Sequence, residues 1–246
     1  MKLKFDSNQQ FQLNAIKSTI DLFEGQPLKR GDFEINFDEG SLKFDYTGIG
    51  NNLIINKDQI LKNLNNIQSR NNISQSDTID TLNFSVEMET GTGKTYVYLR
   101  TIYELNKVYG FKKFIIVVPS IAIREGVIKN LRITSDHFKD LYSNPPSNYN
   151  IFDPKKKSIL KNFAINNAIQ ILVINIDSFS KDINLINREG EDGIKPVEYL
   201  QSTNPFVIID EPQNMETELR RKAINNLNPL CTLRYSATHK NHYNLI

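Results

Sequence analysis

Leu82–Thr95 reads LNFSVEMETGTGKT, and the chain changes character halfway along it. LNFSVEM is an apolar-rich run of strand length. METGTGKT follows, and from there the apolar residues Tyr98, Leu99, Ile102 and Leu105 fall at helical spacing, one stripe against a sheet. A glycine-rich turn between a strand and a helix N-terminus aims successive backbone N–H groups, and the positive end of the helix, at a single anion. Gly91 and Gly93 let the backbone approach phosphate without a Cβ in the way. Thr92 lies between them, Lys94 is placed to reach the β- and γ-phosphates of a nucleotide, and Thr95 to offer a hydroxyl to Mg²⁺. The eight-residue form of such a loop starts with glycine; this chain has Met88 there.

Working outward, four more apolar runs recur with helical segments between them: Phe114–Val118, Ile169–Ile174, Phe206–Ile209 and Cys231–Tyr235. Continuous runs such as FIIVV and FVII suit strands buried on both faces, and alternation with helices predicts parallel pairing. The expected fold is α/β, a three-layer sandwich around a mostly parallel sheet, with ligand at the carboxyl ends of the strands. An N-terminal helix carries Leu13, Ile16, Ile20 and Phe23 on one face. Residues 25–80 break the rhythm. Phe33, Ile35, Phe37 and then Leu42, Phe44, Tyr46 alternate around DEGS, a hairpin signal, and a helix with Ile60, Leu61, Leu64 and Ile67 on one side follows. This reads as a small hairpin–helix insertion in a single domain spanning 1–246. Tyr142–Lys157, with Pro145, Pro146, Pro154 and three lysines, is expected to be a surface loop.

PFVIIDEPQ carries the second half of the chemistry. Four apolar residues bring the chain to the end of a buried strand, where Asp210 and Glu211 emerge side by side. An aspartate there can hold Mg²⁺, and a neighbouring glutamate can orient and polarise the attacking water. A lone Asp-Glu pair is more often a solvated turn; downstream of a phosphate loop it is what phosphoryl hydrolysis needs to hold its metal. Bulk composition adds boundaries. At 39% hydrophobic and 24% charged the chain is that of a folded globular protein, and no apolar run is long enough to cross a bilayer. The start MKLKFDSNQQ has no signal-peptide core, so a cytoplasmic location is expected. One cysteine, Cys231, excludes an intrachain disulfide and reads as strand packing. A net charge of +2 neither argues for nucleic acid nor against it.

TGTGKT, DEPQ and Ser236-Ala237-Thr238 resemble, in order, motifs I, II and III of the superfamily 2 helicases, whose motor halves are RecA-like. Gln12, within FQLNAI, matches their upstream glutamine motif, and Pro119-Ser120 is similar to motif Ia. METGTGKTYVYLRTI, VVPSIAIREGV, NIDSFSK, IIDEPQNM and DLFEGQPL resemble more narrowly the ATP-dependent restriction subunit of type III restriction–modification enzymes. That resemblance covers nearly the whole chain and is weakest from Asp32 to Asp80. It implies ATP and Mg²⁺ as cofactors, Gln12 on adenine, and Gly91–Thr95 on phosphates and metal. It puts Asp210 and Glu211 on metal and water, and makes Ser236 and Thr238 relays of nucleotide state. It sets Pro119, Ser120 and Arg124 against a nucleic-acid backbone, although a solvated helix arginine reads equally well at Arg124. Lys155–Lys157 is more readily a solubilising loop than a DNA site, and His137, His239 and His242 receive no role.

The parent function so implied is ATP hydrolysis coupled to movement on double-stranded DNA, beside a modification (methyltransferase) subunit that reads the sequence. The chain is expected to be the first half of such an engine, without the second RecA-like domain, its arginine finger or the nuclease, and therefore nearly inactive alone. Two rival readings stand beside it: a helicase unrelated to restriction, and a module that holds nucleotide without turning it over.

Overall fold

The computed structural model describes residues 5–28, 49–156, 158–190, 193–238 and 243–246. Six strands form one sheet: β1 (Asn83–Glu87), β2 (Lys113–Val118), β3 (Ser147–Ile151), β4 (Ile169–Asn175), β5 (Phe206–Asp210) and β6 (Cys231–Ser236). Their order across the sheet is β1-β6-β5-β2-β4-β3, and every pairing is parallel. The helices are α1 (Gln10–Asp21), α2 (Lys57–Arg70), α3 (Lys94–Tyr109), α4 (Ile121–Leu141), α5 (Ser158–Ile165), α6 (Pro196–Gln201) and α7 (Glu218–Asn225).

Burial on both faces explains the unbroken apolar runs. In β2, Phe114, Ile116 and Val118 enter the larger core with α1, α2, α3 and α4, while Ile115 and Val117 enter a second core with α5, α6 and α7. Two helical layers therefore sandwich the sheet, the expected three-layer arrangement. α3 bridges β1 to β2 across β6 and β5, and its sheet-facing Tyr98, Leu99, Ile102 and Leu105 are fully buried. Cys231 is buried in β6 as well.

The hairpin expected between Phe33 and Tyr46 lies outside the described residues. Its helical companion is α2, whose Ile60, Leu64 and Ile67 join the larger core and have no core of their own. The segment is also tied polar to polar. Asn63 Nδ2 donates to Leu22 O and Glu24 O, and Asn51 bridges Lys113 O and Asn204 O at the amino edge of the sheet.

One expectation fails. Within the presumed loop 142–157, Ser147–Ile151 forms β3, parallel to β4 from Ser147↔Ile169 to Ile151↔Val173. Two prolines precede it, and SNYNI alternates without a buried face because β3 is an edge strand. Polar edge strands are how open sheets avoid pairing with other chains, and the same polarity hides them from an apolar-run reading. Lys155 and Lys156 sit exposed in the following turn; Lys157 is outside the described residues.

The parallel topology gathers the chemistry. β1, β6, β5 and β2 all run toward one edge, so the loops after Glu87, Ser236, Asp210 and Val118 emerge together. Backbone bonds stitch them there: Met88 N–H donates to Ser236 O at 2.9 Å, and Glu211 N–H to Tyr235 O at 3.2 Å.

Candidate functional site

A cavity of about 640 Å³ opens at that edge, lined by Gly91, Gly93, Lys94 and Thr95, by Gln9 and Gln12, and by Asp210 and Glu211. The loop before α3 needs its glycines. Gly91 and Gly93 stand at φ +82° and +86°, in the left-handed region, and a Cβ on Gly93 would sit 2.8 Å from Gln12 Nε2. Gln12 is buried in the first turn of α1, and its Nε2 donates to Thr92 O at 2.9 Å, which braces the loop from below.

Lys94 heads α3 at 9% exposure, its Nζ 3.5 Å from Glu211 Oε1. Asp210, the last residue of β5, is 6% exposed. Tyr98 donates its hydroxyl to Asp210 Oδ2 at 3.1 Å. Burial pushes the Asp210 carboxyl up to about 6; the Tyr98 hydrogen bond and the Lys94 charge oppose that rise, and the Glu211 charge adds to it. Glu211 has φ +56°, unusual for a residue with a Cβ. From this backbone the carboxylate reaches the loop, where its Oε1 meets Lys94 Nζ.

A relay leaves this acid. Gln213 Nε2 donates to Glu211 Oε2, Ser236 Oγ donates to Gln213 Oε1 at 2.8 Å, and Thr238 N–H donates to Ser236 Oγ at 3.0 Å. Ser236 is thus hydrogen-bonded into the acidic pair, while Thr238 meets it through its backbone.

Three expected nucleic-acid residues lie one strand away and do not line the cavity. Ser120 caps α4, accepting from Ile123 N–H at 3.3 Å, and Pro119 leads into it. Arg124 Nη2 lies 2.9 Å from Glu125 Oε1. Ile123, Gly126, Val127 and Asn130 of the same helix do reach the cavity wall.

Sequence reasoning passed over several members of the site. Gln213 is the fourth residue of DEPQ, and its place in that motif is the signal that marks it. Tyr98 reads as core in the sequence, since its spacing is that of its apolar neighbours. His137, left without a role, bonds the Tyr96 hydroxyl through Nε2 at 2.9 Å, and Phe5 stacks on Tyr96 at 5.9 Å. His239 and His242 are outside the described residues.

The donor set lining the cavity is hard oxygen: the Asp210 carboxylate and the Thr95 hydroxyl. That composition suits Mg²⁺, which is held by one or two carboxylates plus substrate phosphates rather than by a protein cage. Among the described residues no cluster of three or more His, Cys, Asp or Glu offers such a cage.

Fold and site together define a P-loop α/β domain. A family model described as "Type III restriction enzyme, res subunit" matches residues 7–241, and the chain belongs to that family. It is 39% identical over 183 residues to the StyLTI Res subunit of Salmonella typhimurium, covering 65% of this chain and 18% of that protein. It is 33% identical over 219 residues to the EcoP15I Res subunit of Escherichia coli, covering 78% of this chain and 22% of that one. The chain thus spans about a fifth of the length of these relatives. Among solved structures, the SWI2/SNF2 ATPase core of Sulfolobus solfataricus in complex with dsDNA is similar at 14% identity and TM-score 0.44, over 78% of this chain and 33% of that one. No described helix is long and apolar enough to cross a membrane.

Proposed function

We propose that the chain binds ATP with Mg²⁺ in this cavity and is the nucleotide-binding half of the motor of a type III restriction subunit. In the whole subunit, hydrolysis is coupled to movement on double-stranded DNA, in the cytoplasm, beside a modification subunit. The observation that carries the reading is the convergence of Gly91, Gly93, Lys94, Thr95, Asp210 and Glu211 on one cavity from strands far apart in the chain.

Each residue has a physical task. The N–H groups of the Gly91–Thr95 turn and the N-terminus of α3 receive the phosphates, and Lys94 meets their charge. Thr95 and Asp210 would hold the metal, which would supply positive charge to neutralise the phosphates. Glu211 orients the attacking water and accepts its proton, its second oxygen fixed by Gln213. Gln12 lines the cavity and grips the loop through Thr92 O; if it also meets the base, base recognition and phosphate recognition share one side chain. Ser236, through Gln213, carries the state of Glu211 to the surface after β6, with Thr238 next along. Pro119, Ser120 and Arg124 would meet a DNA backbone at the start of α4.

Among the described residues, no arginine lines the cavity. An arginine presented to the developing γ-phosphate charge is worth on the order of 10³–10⁵ in rate in other nucleotide hydrolases. The chain alone should therefore bind nucleotide far better than it hydrolyses it. Titration of a fluorescent ATP analogue into the wild-type chain and Lys94→Ala tests the first claim. Binding by the wild type and its loss in a folded mutant is expected; equal affinities would overturn the site. Phosphate release measured with and without double-stranded DNA tests the second, and turnover that rises with DNA would overturn it.

A further inference from the structure

The sheet-facing stripe of α3 carries a hydroxyl where packing alone asks for none. Val97, Leu99, Ile102 and Leu105 are apolar and buried, and Tyr98 among them is 0% exposed. Its ring meets Tyr235 of β6 at 5.6 Å and 58°. A phenylalanine would fill nearly the same space, and a buried hydroxyl without a partner costs about 1–3 kcal/mol. The partner that justifies this hydroxyl is Asp210 Oδ2, 3.1 Å away. Thr95, one turn earlier on the same helix, adjoins the phenol as well. Tyr98 therefore stands behind both oxygen donors proposed for the metal, on the core side, while the cavity lies in front of them.

We propose that Tyr98 is the positioning residue of the metal site: its hydroxyl fixes the rotation of the Asp210 carboxylate, taking Oδ2 and leaving Oδ1 for the metal or its water. The inference rests on Asp210 being a metal ligand. A carboxylate rotates about χ2 in a broad, roughly two-fold well, so without an anchor the ligating oxygen is held in no one direction. Partners behind metal ligands set affinity in this way, and their loss generally costs about 10- to 100-fold in metal binding or activity. Tyr98 itself never touches metal or nucleotide. Its removal should weaken the metal without weakening metal-free nucleotide binding, a split that general damage to the core would not give.

The test is Mn²⁺ titration of the ADP-loaded chain followed by electron paramagnetic resonance, for wild type, Tyr98→Phe and Asp210→Asn. Tyr98→Phe should lower Mn²⁺ affinity by roughly 10-fold. It should leave ADP affinity in the presence of chelator within about twofold, and in the Asp210→Asn background it should add nothing. A fluorinated tyrosine at position 98 keeps ring and hydroxyl and should hold Mn²⁺ as the wild type does. Wild-type Mn²⁺ affinity in Tyr98→Phe, with loss in Asp210→Asn, overturns the positioning role alone. Wild-type affinity in Asp210→Asn overturns the metal-ligand reading and the positioning role with it. A fluorotyrosine chain that falls as far as Tyr98→Phe, or a Tyr98→Phe chain that does not fold, assigns the side chain to packing and also overturns the proposal.

Discussion

Gly93→Ala puts a single methyl group at the most crowded point of the phosphate loop. The backbone there is at φ +86°, where an L-residue with a Cβ is strained by about 1–2 kcal/mol. The new Cβ would also lie 2.8 Å from Gln12 Nε2, well inside contact distance, so the glutamine must swing away and give up its hydrogen bond to Thr92 O. That bond is worth about 1 kcal/mol net. The loop lies at the surface and can relax in the free chain, so the strain should appear when nucleotide forces it back into shape. Together the two effects predict about 2–3 kcal/mol, or roughly a 30- to 150-fold loss of affinity for a fluorescent ATP analogue. The two parts separate in a double-mutant cycle. With Gln12→Ala already in place there is no amide to collide with, and Gly93→Ala should cost about 1 kcal/mol less, near fivefold. An identical cost in both backgrounds would refute the contact, and with it the claim that Gln12 braces the loop.

Glu211→Gln keeps the size of the side chain and removes the charge; Mg-nucleotide affinity should hold while hydrolysis by the whole subunit falls about 10²- to 10⁴-fold, measured by phosphate release. A wild-type rate would make Glu211 a bystander. Lys113, wholly buried at the amino edge of β2, donates to Phe163 O, Ala164 O and Asn166 O, so Lys113→Met should strip the end of α5 of its donor and lower stability by about 2–4 kcal/mol in urea unfolding. Burial, helped by the Lys112 charge, pushes the Lys113 ammonium down to about 7. Between that value and the ordinary 10.5 the unfolded chain holds a proton that the native chain does not, so wild-type stability should rise with pH across this window and fall back toward pH 7. The swing is at most about 5 kcal/mol and is reduced by the three carbonyls that favour the charge. Unfolding midpoints for the wild type that stay flat from pH 7 to 10 would show the ammonium to be charged throughout.

What the sequence disclosed and what it hid divide along physical lines. β2 and β5 were plain because a strand covered on both faces must be apolar at every position, as FIIVV and FVII are. β3 was hidden because it is covered on neither edge nor face to the same degree, and SNYNI carries only the signature of a loop. That Lys94 and Asp210 belong together at one cavity can be anticipated because phosphate chemistry would ask for particular residue types at the ends of strands. Tyr98 was not legible in this way, since its aromatic ring satisfies the same helical periodicity whether or not its hydroxyl has work to do. The bond from Gln12 to Thr92 depends on how α1 lies against α3, and no local spacing encodes that. The place of β6 between β1 and β5 is likewise invisible in a linear reading.

That placement also governs the order in which the molecule can be made. β6 is the last of the described strands, yet it occupies an interior slot, paired on one side with residues 83–87 and on the other with 206–210. Until the ribosome has released Ser236, the facing edges of β1 and β5 have no partner and the two halves of the cavity belong to separate pieces of sheet. The cavity is therefore complete only once β6 has inserted, and a ligand of that cavity can steady only a chain in which this strand is already in place. Interior insertion of a late strand is a long-range step and a slow one, and the apolar edges waiting for it are where a nascent chain would seek the wrong neighbour.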